Sequence, residues 1–600
     1  MPGRNGFLNE KDVLSVQLIL PYFKKNLGKI ILGILCMIIV DCTQLAIPHI
    51  IKQAVDILAE SDFSHDILVH QVLFIVVLGL VMAVLRYFWR ILLMGSARDL
   101  EKGIRQHLYS HILTLDQHYF NRVKTGDIMA HATSDINHIR MAFGMGIIAL
   151  TDALLLGTAS IAIMLWMNPK LTLAALLPMP LLSFMIRYLG RKMHAFHTSA
   201  QESYSELTEL IREGFSGIRV LKLFNLEAAV GTKVARYSEH YFKKNLKRAT
   251  VTAFFRPLMG FFFNLSTGIV LFYGGVLVMD HQISPGELVA FTQYLGILAW
   301  PIIAIGWMTN LIQRGLASLK RINALLDARP MVESPRQDST TPGPDHSKPD
   351  TRKHFQRIIF DRVDFGYDPD KPLLSDITLD IPFGSVTGIS GPPGSGKTTL
   401  VQLIPRIFDT TRGTLRLDDT AVTAMELDTL REMVAFMPQE PFLFSGTIRE
   451  NILMGRSFSS DRLDHILSVC QLSETIRQMP DGLDTLIGEK GITLSGGQKQ
   501  RITLARTLIQ DKPVTILDDP ISQVDTQTAS AIIQSLQQHG SGRIMIIISH
   551  RMSALSFCDR ILVLEEGRIT HQGDHDALMT GSRFYRTSFT VQQFQETHGS

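Results

Sequence analysis

The sequence predicts two halves: an α-helical membrane domain with six transmembrane helices, followed by an α/β domain of the P-loop type. Three observations predict them. Six apolar stretches precede residue 315, each long enough to cross roughly 30 Å of hydrocarbon. After residue 355 the texture becomes strand, turn and helix, and GSVTGISGPPGSGKTTLVQLI sets a glycine-rich loop between an apolar strand and a helix. Finally, 600 residues are too many for one core.

Composition agrees with a hybrid. Hydrophobic residues make up 46% of the chain and charged residues only 19%, below the roughly one-quarter typical of soluble domains. A net charge of +3 gives no footing for nucleic acid as a partner. The four cysteines, Cys36, Cys42, Cys470 and Cys558, lack metal-site spacing. They read as reduced, buried and structural, as expected if the soluble part faces a cytoplasm.

Residues 1–25 contain acidic groups and no small-residue cleavage site after an apolar core, unlike a secretory signal or transit peptide. An amphipathic pattern over 12–25 predicts a helix lying along the membrane surface. The membrane domain is expected over 26–327, with spans near 26–48, 69–95, 141–167, 170–190, 251–279 and 286–312. Only Asn168 and Pro169 part the third span from the fourth. The intervals after the second and fourth spans are long and poor in helix breakers, which predicts two helical hairpins. They also carry the cations: Arg98, Lys102, Arg105, Arg122, Lys124 and Arg140 in one, and Lys243, Lys244, Lys247 and Arg248 closing the other. The opposite loops hold mainly Asp56, Glu60, Asp62, Asp66, Asp280 and Glu287, with Lys52 and Lys170 as exceptions. By the positive-inside rule both termini and both hairpins are cytoplasmic.

Ionisable groups inside spans are expensive and point to function unless they are paired. Asp41 lies near mid-bilayer in the first span, close to Gln44 and Pro48. It is the candidate for a substrate pathway or a proton-sensitive gate, against the alternative of a structural carboxylate paired across the bundle. Arg86, Arg90, Asp152 and Arg256 fall at leaflet depth, where interhelical pairing or snorkelling is the expectation. Trp89, Trp166, Trp300 and Trp307 either line an aromatic cavity or form interfacial belts and ordinary packing.

Residues 328–355, rich in Pro, Ser, Thr and charge, form a linker, since no core can assemble there. The second domain is expected over 356–585, with a tail over 586–600. Gly391, Pro392, Pro393, Gly394, Ser395, Gly396, Lys397 and Thr398 match G-x-x-x-x-G-K-[ST], and Thr399 follows. Glycines with φ > 0 let successive N–H groups turn around phosphate oxygens, and the helix N-terminus adds its dipole. Lys397 is placed for the β- and γ-phosphates and the Thr398 hydroxyl for Mg²⁺. The apolar strand 514–517 ends in Asp518, a carboxylate placed to hold the Mg²⁺ shell. A second apolar strand, 544–548, ends in Ser549 and His550, putting an imidazole near a γ-phosphate.

Leu494, Ser495, Gly496, Gly497 and Gln498 spell LSGGQ, which resembles the signature motif of ATP-binding cassette (ABC) proteins. By composition it arises in about one chain in a thousand. The resemblance implies further roles. Tyr367 is similar to the aromatic that stacks on adenine, and Gln439 to the glutamine linking Mg²⁺ to the membrane domain. Ser522 and Asp525 resemble the D-loop, His550 the switch histidine, and Gly488 to Gly491 the loop that meets coupling helices in exporters. Phe120 to Asp135 and Arg212 to Asn225 resemble the two coupling hairpins of type IV ABC exporters. RYFWRILLMGSARDLEKGIR, and ILDD after LSGGQKQRITLAR, resemble one subunit of multidrug-resistance-like (Mdl-type) heterodimeric half-transporters. The implied cofactors are ATP and Mg²⁺, and the implied cargo an amphipathic drug or lipid. The implied setting is a bacterial inner membrane with the nucleotide-binding domain in the cytoplasm.

One residue departs from the family pattern. Where ABC ATPases place a catalytic glutamate, this chain has Asp519, whose carboxylate is drawn back by more than about an ångström. Such misplacement costs about a hundredfold in rate. A slow site here, beside an intact signature serving the partner's ATP, predicts a heterodimer whose other half carries the glutamate. The alternatives are a homodimeric lipid or peptide exporter in which Asp519 works slowly as a base, and an ATP-gated channel or sensor.

Overall fold

The computed structural model describes residues 18–59, 65–335, 356–368, 371–488, 494–539 and 542–598. Most of the expected surface helix over 12–25, the linker stretch 336–355 and the loop residues 489–493 lie outside the described residues. Of the first, a short helix Leu20–Lys25 is described, opened by Pro21. The chain divides into two compact units, Met1–Leu113 with Thr125–Ala328, and Thr114–Lys124 with Arg329–Ser600.

The first unit contains six helices long and apolar enough to cross a membrane. They are α1 (Leu27–Ala59), α2 (His65–Ile112), α3 (Thr125–Met167), α4 (Pro169–Ser216), α5 (Glu227–Met279) and α6 (Pro285–Leu326). Each overruns its expected apolar span. The 48 residues of α2 make roughly 70 Å of helix, more than twice a hydrocarbon core. The excess forms the two hairpins that the cationic intervals predict.

Local chemistry sets the breaks. Asn168 accepts the Leu171 N–H at 2.9 Å and Pro169 occupies the first turn, so α3 ends and α4 starts at that pair. Ser284 and Glu287 cap α6 reciprocally. At that end Lys52 pairs with Glu287 at 2.7 Å, and Asp56 accepts from the Ser284 hydroxyl and the Gly286 N–H, clamping α1 to α6. Gly286 is required there, because a Cβ would lie 2.1 Å from the Lys52 carbonyl oxygen.

The third helix is less regular than its sequence suggests. Two π-helical turns, His131–Asp135 and Ala142–Gly146, flank a short α segment. They turn Ile136 and Ile139 into a fully buried contact with α6. Asp135, in the first π turn, accepts from Ser318 at 2.9 Å and Arg321 at 3.0 Å on α6 and from His131 at 2.7 Å. The expected pairing of Arg86 is with Gln44, at 2.9 Å. Arg90 lies over the ring of Trp89. The side chain of Arg256 is outside the described residues.

The second unit holds two main sheets. An antiparallel one runs β2-β1-β4-β5, from β1 (Arg357–Phe365), β2 (Leu374–Pro382), β4 (Arg412–Leu417) and β5 (Thr420–Ala421). The other runs β12-β11-β3-β10-β9-β6, from β3 (Val386–Ser390), β6 (Val434–Met437), β9 (Val514–Asp518), β10 (Ile544–Ile548), β11 (Arg560–Glu565) and β12 (Arg568–Gly573). The small pair β7 (Gly446–Thr447) and β8 (Leu486–Ile487) stands apart. Strands β3, β9 and β10 are buried at every position, which is why they read as unbroken apolar runs. Helices α7 (Lys397–Gln402), α8 (Gly496–Leu508), α9 (Thr526–His539) and α10 (Arg583–His598) carry or support the motifs.

Residues 586–598, expected as a tail, are instead the body of α10. Tyr585 is fully buried and its ring is parallel to that of Phe589, an i, i+4 pair that anchors the helix. In the same unit the turn before helix Gln117–Arg122 is tied down. Asp116 caps that helix at the Tyr119 N–H and also accepts from the Met331 and Val332 N–H groups.

Candidate functional site

Four adjacent strands, β3-β10-β9-β6, are parallel, so their carboxyl ends form one edge. Each ends in a residue the sequence singled out: Gly391 after β3, His550 after β10, Asp518 on β9 and Gln439 after β6. In open parallel sheets ligands sit at this edge.

The loop after β3 folds as its glycines require. Gly391, Gly394 and Gly396 have φ of 155°, 79° and 97°. A Cβ on Gly391 would lie 2.1 Å from the Leu564 carbonyl oxygen, so no other residue fits. Lys397 is buried and donates to the carbonyls of Gly391 at 2.9 Å and Pro392 at 2.8 Å, which sets its ammonium inside the loop. Burial pushes its pKa below the usual lysine value, while the negative charges of Asp518 and Asp519 act the other way.

Asp518 completes this group. Burial pushes its carboxyl up to about 6; the Thr398 hydroxyl at hydrogen-bonding range and the Lys397 charge pull down, and Asp519 pushes further up. Its Oδ2 is buried without a hydrogen-bond partner. An orphaned carboxylate oxygen beside a threonine hydroxyl fits the inner shell of a divalent cation that takes its other ligands from phosphate and water. Among the described residues no three His, Cys, Asp or Glu side chains gather to hold a metal by themselves.

Asp519 follows in the left-handed region, φ 54°, with its side chain buried and Oδ1 unpartnered. Its backbone is pinned on both sides: its N–H donates to the Ile548 carbonyl at 2.8 Å, and its carbonyl accepts from Gln500 Nε2 at 2.6 Å. Tyr367 is half-exposed beside Phe365 and Phe408, and its hydroxyl is 2.9 Å from that of Thr399. The free ring face is available for stacking.

Ser495 and Gln498 cap α8 reciprocally, leaving Ser495 and Gly496 at the surface. Gly496 and Gly497 are there because Gln523 leaves no room: added Cβ atoms would lie 2.4 Å from its Oε1 and 2.8 Å from its carbonyl oxygen. Asp525 opens α9 by accepting the Thr528 N–H at 2.9 Å, and hydrogen bonds from Thr528 hold its carboxyl below the usual range. Gln439 and His550 are exposed on either side of β9 rather than bonded into the Lys397–Asp518 group. Of the stretch Gly488 to Gly491, only Gly488 is described.

Sequence reasoning missed three residues. Gln500, fully buried on α8, donates to the Asp519 carbonyl and the Ser522 hydroxyl and accepts the Gln523 N–H at 2.8 Å. Arg506, on the same helix, donates to the carbonyls of Phe442 and Asn451 and to Asn451 Oδ1, holding the segment that follows Gln439. Gln592 on α10 donates to the His550 carbonyl at 2.6 Å and accepts the Met552 N–H at 2.8 Å. No motif spacing or periodicity in the sequence sets these three apart.

Comparison with known proteins agrees with this geometry. Residues 30–302 match the family described as ABC transporter transmembrane region, and residues 374–522 the family described as ABC transporter. The chain is 34% identical to the multidrug resistance-like ATP-binding protein MdlA of Escherichia coli, over 96% of either chain. It is 32% identical to the probable multidrug resistance ABC transporter ATP-binding/permease protein YheI of Bacillus subtilis, over 95% of this chain and 96% of that one. An ATP-dependent lipid A-core flippase of Syntrophus aciditrophicus is 29% identical over 91% of this chain and 89% of its own length. The solved structure of a bacterial Atm1-family ABC exporter with ATP bound superposes with a TM-score of 0.75 at 23% identity, covering 94% of this chain and 99% of that chain. The chain therefore belongs to the ABC transporter family, as an exporter-fold member that joins a six-helix membrane region to an ABC ATPase domain.

Proposed function

We propose that this chain is one half of a two-chain exporter that uses ATP to move amphipathic compounds, drugs or lipids, out through a bacterial inner membrane. The hairpins and the ATPase domain lie on the cytoplasmic side in this reading. The names borne by the relatives support the cargo class, and the strand edge where the motif residues gather supports the engine. Lys397 holds the β- and γ-phosphates, Thr398 and Asp518 hold the Mg²⁺ shell, and Tyr367 takes adenine on its free face. Gln439 and His550, left exposed on either side of β9, reach toward the γ-phosphate. Bound Mg²⁺ supplies positive charge to the phosphate oxygens. Leu494 to Gln498, with Ser522 and Asp525, face a nucleotide held by the partner.

Asp519 carries the finer claim that this chain's own site is slow. It occupies the place of the water-polarising carboxylate, and its main chain is fixed from both sides, so the backbone is not free to make up the missing methylene. The partner accordingly carries a glutamate there, which makes the assembly a heterodimer. A knob at the second hairpin, Phe215, Leu223 and Phe224, each at least 70% exposed, supports docking of a second chain.

The test is the ATPase rate of the full chain alone in lipid nanodiscs, beside Asp519→Glu and Lys397→Ala. Wild type is expected to be nearly silent and Asp519→Glu faster by about a hundredfold. Brisk wild-type hydrolysis abolished by Lys397→Ala identifies a self-sufficient homodimer instead.

A further inference from the structure

Asp41 lies on α1 and is 4% exposed, and its Oδ2 has no hydrogen-bond partner. The polar group at hydrogen-bonding range is another carboxyl, that of Asp152 on α3. Asp152 in turn accepts the indole N–H of Trp300, on α6, at 2.8 Å. The charged groups facing Asp41 from the helices packed on α1 are Arg86 of α2 and Asp152 of α3, while α6 brings the uncharged Trp300. Arg86 is already engaged by Gln44. One turn away, Met37 packs with Leu93 and Ile148 in an apolar cluster, so the surroundings offer little screening.

Two carboxylates and one guanidinium leave one negative charge in excess. Among apolar helices such an excess is costly unless something positive joins it. A proton shared between the carboxyls removes the excess, because a hydrogen bond between two carboxyl groups exists only when one is protonated. An organic cation removes it equally well and frees that proton. Asp152 is half-buried and Trp300 is 48% exposed, so the pair is open on one side, where an indole face is available. Indole faces attract cations that shed water easily. A small hydrated ion lacks that advantage here, because the wall offers two carboxyls and a ring rather than a cage of oxygens.

We propose that Asp41 and Asp152, flanked by Trp300, form a binding site for a lipophilic monovalent organic cation, which enters as the proton shared by the two carboxyls leaves. The site is neutral in either state, so the exchange moves no net charge into the bundle. The inference deepens the export reading by naming a cargo class, and depends on it only in treating the bound cation as cargo.

The experiment is a binding titration of the full chain, in phosphatidylcholine nanodiscs without ATP, using tetraphenylphosphonium between pH 5.5 and 8.5. Triphenylphosphine oxide serves as the uncharged control, and a fluorescent ATP analogue reports that each variant is folded. Affinity for tetraphenylphosphonium is expected to rise with pH by up to tenfold per unit, while the uncharged control shows no pH dependence. Asp41→Asn is expected to weaken cation binding at least tenfold and flatten the pH profile, with nucleotide binding unchanged. Asp152→Asn repeats the test if Asp41→Asn loses nucleotide binding. Equal affinity in a folded variant, pH-independent binding, or no saturable binding overturns the site. If ATP still drives export of an uncharged amphipath after such a result, only this inference falls; if nothing is exported by the complete two-chain assembly, the export reading falls with it.

Discussion

Gln500 uses both ends of its amide on one short stretch of backbone. Its nitrogen holds the Asp519 carbonyl and the Ser522 hydroxyl, and its oxygen holds the Gln523 N–H. Gln523 in turn presses on Gly496 and Gly497. The residue that sets where the Asp519 carboxylate stands is therefore on the helix that begins with the signature. In an Asp519→Glu background, where hydrolysis is measurable, adding Gln500→Ala is expected to lower the rate about a hundredfold. Nucleotide affinity should change by no more than a few-fold, since the Lys397 loop makes no bond to Gln500. Comparing single-turnover hydrolysis with binding of the same ATP analogue checks this, and a parallel loss of both would assign Gln500 a purely structural part. The buried amide groups left unpaired are also expected to lower domain stability by about 1–3 kcal/mol.

At the level of elements, the irregular α3 and the continuous helix α6 fit only because glycine meets alanine between them. A Cβ at Gly315 would lie 2.2 Å from the Ala142 Cβ, inside the second π turn. Gly315→Ala is expected to cost about 1–3 kcal/mol through overpacking, seen as faster amide exchange along Ile136–Met141. Adding Ala142→Gly moves the methyl from one helix to the other and should restore most of the protection. Failure of that rescue would mean that the π turns are not held by this contact.

The six spans and the phosphate loop were legible because lipid and phosphate narrow the choice of residue: long apolar runs in one case, glycine and lysine in the other. The π turns were not, since one extra residue in a helical turn barely disturbs a 3.6-residue pattern. Gln500, Arg506 and Gln592 were not legible either, because amides and guanidinium groups bond carbonyls in any setting and only the fold says which. Asp152 read as a group paired between helices or snorkelling, and it does accept the Trp300 indole N–H from α6 at 2.8 Å. The fold also faces it with Asp41, a like-charged neighbour 111 positions earlier in the chain, which the sequence did not show.

At the scale of the whole molecule, the motif residues divide into two sets. Lys397, Thr398, Asp518 and Asp519 gather at one strand edge, whereas Ser495 and Gly496 lie at the surface. The apolar knob of Phe215, Leu223 and Phe224 likewise has bulk and no cover of its own. Phe224→Asp is expected to lower ATP hydrolysis by the two-chain assembly at least tenfold while leaving nucleotide binding by this chain unchanged. Size-exclusion profiles with and without the second chain would show whether assembly was lost as well, and undiminished hydrolysis would remove the knob from the interface.

The grip of Gln592 on the backbone around His550 makes the final helix a handle on the chemistry. A tag, surface tether or fluorophore that pulls on α10 will be felt at the histidine loop, so it will register as a change in turnover with no change in the loop that holds phosphate. Labels meant to be silent belong elsewhere on this chain. A clamp meant to stop the engine has a natural point of attachment there.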